Sequence, residues 1–251
     1  MTYCVAMRLR AGVLFASDSR TNAGVDHIAT FRKMNLFEVP GERLVTLLNA
    51  GNLATTQSVV SILRQRAKEG AGQHLLNIGS MYDIAELVGR TLREVVARDS
   101  EGGGQHSQGV DFGANFIVGG QIRGEVPRIF HVYPQGNFIE ATEDTPYLQI
   151  GESKYGKPII DRVIDFESSL TEATKCALIS FDSTIRSNLS VGLPLDMLLY
   201  RTDSFAPAQP HRITHQDPYF SALRQGWGGG LKRVFAELPD GDWFSPDQLG
   251  S

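Results

Sequence analysis

Cysteine is nearly missing from this 251-residue chain, which carries only Cys4 and Cys176. Two thiols so far apart make neither the disulfide framework of a small secreted domain nor a metal-binding motif. Both sit in apolar periodic segments and read as buried structural thiols, although Cys4 stands two residues from Thr2. Long apolar runs are missing too, and none approaches the roughly 18 residues of a membrane span. Arg8-Leu9-Arg10 ahead of Ala11 to Ala16 imitates the start of a signal peptide, but Ser17-Asp18-Ser19-Arg20 cuts the apolar part short. The reading is cytoplasmic, with no membrane partner. Positive charge is not in excess: 24 Lys and Arg against 28 Asp and Glu leave a formal charge of -4, which argues against a nucleic-acid partner. Gly102-Gly103-Gly104 lacks the preceding strand, the following helix and the Lys-Ser/Thr of a phosphate loop, so no nucleotide site is expected. His211 and His215 have a ligand-like spacing, yet Pro207, Pro210 and the β-branched Ile213-Thr214 favour strand or loop. No Glu follows the first His, so no metal is expected.

What is present concentrates at the beginning. Met1 followed by the small Thr2 is the usual substrate of methionine aminopeptidase, so the mature chain is expected to begin at Thr2. One residue then carries a nucleophilic hydroxyl and a base, its own α-amine, which titrates at about 7.7–8.0 and is partly neutral near physiological pH. A nearby ammonium would lower that value further, because like charges disfavour the charged form. Lys33 is the candidate cation, and Asp18 the carboxylate that would hold it.

Tyr3 to Leu9 and Gly12 to Asp18 are short apolar runs joined by a tight turn, which predicts a hairpin returning Asp18 to the side of Thr2. A third run from Lys33 to Val39 is expected to add another strand at the same edge. Arg43 to Asn49 reads as a strand, and Ala50-Gly51 as a sharp turn into a helix capped by Asn52. A main-chain N–H at that turn, reinforced by the positive end of the helix dipole, is suited to holding an oxyanion. The bland reading of Gly51 is a residue needed only for the turn.

These residues, in order, resemble proteasome β-type subunits of the N-terminal nucleophile hydrolases: the N-terminal Thr2, Asp18-Ser19-Arg20, the strand-opening Lys33, and Ala50-Gly51-Asn52-Leu53-Ala54. Within that group the sequence is most similar to the bacterial Anbu type, a relative of the HslV peptidase, over Thr2 to about Tyr200. The resemblance implies Thr2 as nucleophile, Lys33 and Asp18 as its charged partners, and the Gly51 N–H as oxyanion donor. It also implies a substrate pocket drawing on Phe31, Asn35, Asn49 and Leu53.

Elsewhere the match loosens. Gly151-Glu152-Ser153 stands where the family has Gly-Ser-Gly, leaving open whether Glu152 or Ser153 approaches Thr2. Ser187-Asn188-Leu189-Ser190 stands where the family has Asp-x-x-Ser-Gly. Ser187, Asn188 and Ser190 are assigned the support of the amine, ahead of Asp182. Helices are read from Leu53 to Ala67, from Ser80 to Val95, from Tyr155 to Val163, and from a Ser169–Glu172 capping box toward Arg186. Further strands are read over 112–119, 128–133 and 137–141, with Gly119-Gly120 as a break, and from Pro194 to Tyr200.

The resulting expectation is an α+β, four-layer αββα sandwich spanning residues 1–200, with an extension over 201–251. That extension is read as a loop, then a helix from Asp217 to Glu237 weakened by four glycines. Its large apolar residues call for cover from the domain itself or from a neighbouring subunit. The resemblance implies a threonine-type peptidase without a cofactor, acting on peptides or unfolded proteins inside a homo-oligomer, ring or open spiral. An ATP-dependent unfoldase partner is left open. The rival readings are a scaffold subunit without useful activity, supported by Asn188, and an amidase on a small molecule.

Overall fold

The first two strands, β1 (Tyr3–Leu9) and β2 (Gly12–Asp18), form the expected hairpin, with Cys4 opposite Ser17 and Leu9 opposite Gly12. Both are almost wholly buried, because this hairpin lies in the middle of a sheet that is covered on both faces. The computed structural model describes residues 2–22, 28–101 and 110–241. Met1, the loop glycines from Gly102 to Gly104, Trp243 and Phe244 lie outside them.

After Asp18 the chain makes a side excursion. Strands β3 (Arg20–Asn22) and β4 (Ile28–Thr30) pair with each other alone, Arg20 opposite Thr30, and Phe31 N donates to Ser19 O at 2.9 Å. This closed ribbon brings Lys33 back next to Asp18. The following strand, β5 (Met34–Val39), does not join the hairpin as expected. It opens a second antiparallel sheet of β5, β6 (Arg43–Gly51), β7 (Ala114–Ile122), β8 (Arg128–Val132) and β9 (Phe138–Glu140), in that spatial order. The first sheet has the order β10 (Tyr147–Gly151), β1, β2, β11 (Leu195–Arg201), β12 (His211–Ile213).

Helices α1 (Leu53–Glu69) and α2 (Met81–Glu101) cover the outer face of the second sheet. Val59, Val60 and Leu63 of α1 and Ile84, Leu87, Val88, Leu92 and Val95 of α2 pack there on Val45, Leu47, Phe116 and Val118. On the first sheet, α3 (Lys157–Val163), α4 (Leu170–Ser187) and α5 (Pro218–Glu237) contribute Ile160, Ala173, Ala177, Phe181 and Phe220 to a cluster with Tyr3, Val5, Met7 and Leu195. A third cluster lies between the sheets, with Cys4, Ala6, Phe15, Leu48, Ile117, Ile129 and Leu198. The architecture is the α+β, four-layer αββα sandwich. Among the described residues no helix is long and apolar enough to cross a membrane.

Gly119-Gly120 do not break β7, which runs through both. Both must be small: a Cβ on Gly119 would sit 2.6 Å from Ile129 Cγ2 and 2.9 Å from Phe15 Cε1 of the facing sheet, and one on Gly120 would sit 1.9 Å from Leu44 O of the neighbouring strand β6. The capping box is present at Ser169 and Glu172. Beyond Tyr200, β12 extends the first sheet, and α5 is continuous through its glycines. Asp217 caps α5 by accepting from Phe220 N, and Arg224 Nε donates to Asp182 Oδ1 at 2.6 Å. Asp182 also pairs with Arg186, so this carboxylate anchors the extension. Of the large apolar side chains on α5 only Phe220 is fully buried, whereas Tyr219, Leu231, Val234 and Phe235 are exposed in the single chain.

Gly120→Ala, with its Cβ directed at a carbonyl of β6, is expected to cost about 1–3 kcal/mol of stability. An unchanged urea midpoint would show that the two strands tolerate the methyl group and that the close approach is incidental.

Candidate active site

Thr2 precedes β1 and is half-buried at the end of the first sheet, on the same side of the strand as Cys4, which points between the sheets. Two main-chain contacts hold its flanks: Glu152 N donates to Thr2 O at 2.6 Å, and Tyr3 N donates to Asp18 Oδ1 at 3.1 Å. Glu152 is therefore the residue whose main chain approaches Thr2, rather than Ser153. A cavity of about 500 Å³ opens on Thr2 and is lined by Thr21, Lys33, Asn49, Ala50, Gly51, Leu53, Thr56, Asn115 and Gly151 as well.

Lys33 and Asp18 meet from different sheets. Lys33 Nζ donates to Asp18 Oδ1 at 2.7 Å and to Arg20 O at 2.7 Å, and the two side chains are 7% and 0% exposed. Burial pushes the Asp18 carboxyl above its ordinary value, and the Lys33 ammonium opposes this. An ion pair so enclosed is retained because either partner alone would be a buried, uncompensated charge. The rest of the Asp18-Ser19-Arg20 tripeptide ties the site to the loop before β11. Ser19 Oγ donates to Pro194 O at 2.6 Å and Arg20 Nη1 to Leu189 O at 2.9 Å.

Gly51 ends β6 with φ +109°, and a Cβ there would lie 2.5 Å from Gly113 O, so the turn into α1 requires glycine. Asn52 caps α1 as predicted, its Oδ1 accepting from Thr55 N at 3.1 Å. The N-terminus of a 17-residue helix, with its partial positive charge, thus opens beside the cavity.

An adjoining pocket of about 620 Å³ lies between β5 and α1. Phe31, Asn35, Asn49 and Leu53 all line it, and it shares Lys33, Asn49, Leu53 and Thr56 with the cavity at Thr2. Arg64, from α1, donates to Asn35 Oδ1 at 2.7 Å, and Asp196 of β11 reaches the same pocket while paired to Arg212 at 2.7 Å.

The segment after α4 stands one step back. Ser187 is exposed on the last turn and does not line the cavity. Asn188 is buried; its Nδ2 donates to Glu152 Oε2 at 3.1 Å and its Oδ1 accepts from Ser190 N at 2.9 Å. Asn188 and Ser190 thereby brace the Gly151-Glu152 turn that touches Thr2. Cys4 is fully buried, with its thiol pushed far above the ordinary value by desolvation, and its Sγ is 3.7 Å from Asn49 O. It is a structural thiol. Cys176, pushed up to about 12 by burial, is another.

Gly151, of the turn expected beside Thr2, lines the cavity, and so do Thr21, Thr56 and Asn115, which the sequence did not point to as site residues. These three come from three separate elements, β3, α1 and β7, and only Thr56, one turn from Leu53 on the apolar face of α1, carried a periodic signal. Asn115 has a partner in His131, whose Nε2 is 3.0 Å from Asn115 Oδ1 and whose ring is tilted against Tyr133 at 4.2 Å. Burial lowers the His131 pKa to about 4.

The sequence profile described as "Proteasome subunit" matches residues 2–192. The chain belongs to the proteasome family. Among solved structures, the ancestral β-subunit Anbu from Yersinia bercovieri is 59% identical, with a TM-score of 0.91 over 96% of this chain and 100% of that one. The Anbu complex from Pseudomonas aeruginosa, solved as a helical assembly, is 56% identical with a TM-score of 0.92 over 96% and 98%. A Gly-1 mutant of Anbu from Hyphomicrobium sp. strain MC1 is 47% identical with a TM-score of 0.89 over 96% and 100%. No curated protein matches. These proteasome relatives cover β12 and α5 as well as the sandwich, so the extension beyond Tyr200 is shared with the Anbu structures.

Two outcomes test this electrostatic picture of the proteasome-family site. Lys33→Met leaves Asp18 buried without its cation and is expected to cost about 3–5 kcal/mol, part of which Lys33→Met/Asp18→Asn recovers. Urea denaturation of the single and double variants measures both, and a double variant no better than the single one contradicts the pairing. For His131 the folded pKa lies below the ordinary 6.5, so the unfolded chain binds the proton more readily. Its contribution to stability is present above pH 6.5 and is lost as pH falls toward about 4. His131→Gln should flatten this part of the stability profile, and identical profiles for the two proteins would refute the assignment.

Proposed function

We propose that this chain is a threonine-type endopeptidase whose nucleophile is Thr2, exposed by removal of Met1. The observation that carries the reading is the buried Lys33–Asp18 pair, 2.7 Å apart, with Lys33 lining the same cavity as Thr2 and Gly51. Thr2 Oγ attacks the scissile carbonyl while its proton passes to the Thr2 α-amine, through a water. The Lys33 ammonium depresses the pKa of that amine and balances the charge that develops, and Asp18 keeps Lys33 in place. The oxyanion of the tetrahedral intermediate is received by the Gly51 N–H at the mouth of α1. Collapse expels the amine half of the peptide with the proton returned by the α-amine, and water cleaves the ester by the same route in reverse. The acyl side chain sits in the pocket of Phe31, Asn35, Asn49 and Leu53, while Asn188 and Ser190 act through Glu152 to hold the Thr2 main chain.

A scaffold subunit without activity is the second reading, drawn from Asn188 in the place of the family's carboxylate. Against it, a carboxylate still stands beside that position, since Glu152 Oε2 accepts from Asn188 Nδ2 at 3.1 Å. Assembly into a homo-oligomer in the cytoplasm belongs to the same proposal. Leu231, Val234 and Phe235 form an apolar stripe on α5 at helical spacing, and a large exposed stripe calls for a covering surface. A second copy is the cover the helical assembly of the Pseudomonas relative suggests.

Intact-mass spectrometry with and without a peptide epoxyketone or β-lactone tests the reading. The wild type is expected to lack Met1 and to gain one probe per chain, and Thr2→Ala to gain none. Retention of Met1, or a wild-type chain left unmodified at saturating probe, would sink the threonine mechanism and leave the scaffold.

A further inference from the structure

The wall of the Thr2 cavity opposite Lys33 has no role in the mechanism above, yet it carries a prepared hydrogen-bond donor. Asn115 lies on β7 directly across from Ala50, the residue before Gly51, and lines the cavity at Thr2 but not the pocket of Phe31 and Asn35. That pocket lies on the β5 flank of β6, and β7 pairs along the other flank. Asn115 and the acyl pocket thus stand on opposite sides of the strand that ends at Gly51. The orientation of Asn115 is held from behind. His131 Nε2 is 3.0 Å from Asn115 Oδ1, and the ring packs against Tyr133 at 4.2 Å between centroids. Burial keeps the imidazole neutral at physiological pH, leaving one N–H to donate. With that N–H on Nε2, Asn115 Oδ1 is occupied, and the group left for a ligand is the Nδ2 amide, a donor of two hydrogens.

We propose that Asn115 is a substrate-positioning residue whose Nδ2 donates to a main-chain carbonyl of the peptide on the leaving-group side of Thr2, with His131 holding it in that orientation. The inference rests on the threonine-peptidase reading and narrows its substrate class. A peptide that continues past the scissile bond offers this carbonyl, whereas a small amide or an arylamide ends at the leaving nitrogen and leaves the donor unused. The site therefore suits an endopeptidase rather than an amidase. The group is not part of the chemistry: it orients the departing half of the chain, and its removal leaves Thr2, Lys33, Asp18 and Gly51 untouched.

The test compares a panel of peptides extending several residues past the scissile bond with peptidyl arylamides of the same acyl part, using the intact oligomer. For Asn115→Ala, kcat/KM on the extended peptides is expected to fall roughly tenfold, the loss of one hydrogen bond, and on the arylamides to stay unchanged. His131→Phe should behave in the same way. His131→Gln, whose side-chain amide places a donor near the position of Nε2, should restore most of the loss. Equal effects on both substrate classes, or none on either, overturn the role of Asn115, and a His131→Gln variant as slow as His131→Phe overturns that of His131. A wild-type protein that takes up the covalent probe but cleaves no extended peptide overturns this inference and leaves the threonine reading standing. One that takes up no probe and cleaves nothing overturns both.

Discussion

A single enclosed ammonium organises this end of the molecule. Lys33 Nζ is held between Asp18 Oδ1 and Arg20 O, each at 2.7 Å, with its side chain 7% exposed. Removing a cation and a carboxylate from water costs several kcal/mol each, and their attraction offsets this only when geometry and extra hydrogen bonds are good. The fold supplies those conditions. The β3–β4 ribbon closes on itself, with Phe31 N bonded to Ser19 O, so that the residues just before β5 are delivered to the end of β2. The ion pair therefore joins two sheets that share no main-chain hydrogen bonds, at the place where both open onto Thr2.

Around this pair, residues that a motif search would treat as one signature divide into different tasks. Asp18 holds the cation, Ser19 reaches Pro194 O, and Arg20 reaches Leu189 O. The loop before β11 is thereby fastened to the end of β2. The same loop begins with Asn188, whose contact with Glu152 sets the turn that bonds Thr2 O. Thr2 is consequently gripped from both neighbours in its sheet, β2 through Tyr3 N and β10 through Glu152 N. Residues near a chain terminus tend to fray, and these two contacts give the Thr2 main chain a fixed place beside the cavity.

The departures from expectation share a cause. Gly119-Gly120 read as a break because local propensity disfavours glycine in strands, but the contacts that demand them come from Phe15, Ile129 and Leu44, distant in sequence. The glycines of α5 weaken the helix by the same propensity, yet its capping at Asp217 and the Arg224–Asp182 contact hold it continuous. Ser187 fits the spacing of a supporting residue, but its position on the last turn of α4 turns it to solvent, and Asn188 and Ser190 take the inward places.

By itself the sequence determined what is local or periodic: the β1–β2 hairpin, the strand-to-helix turn at Gly51, the Asn52 and Ser169 caps, and the apolar stripes of α1 and α2. Each follows from residues within a few positions of one another, where φ/ψ preference and side-chain spacing suffice. Tertiary structure alone decided which sheet β5 joins, that Glu152 rather than Ser153 meets Thr2, and that Asn115 lines the far wall of the cavity with His131 behind it. Those outcomes depend on which strands lie side by side and which faces meet across the layers, and a linear pattern with a period of two carries no record of its partner.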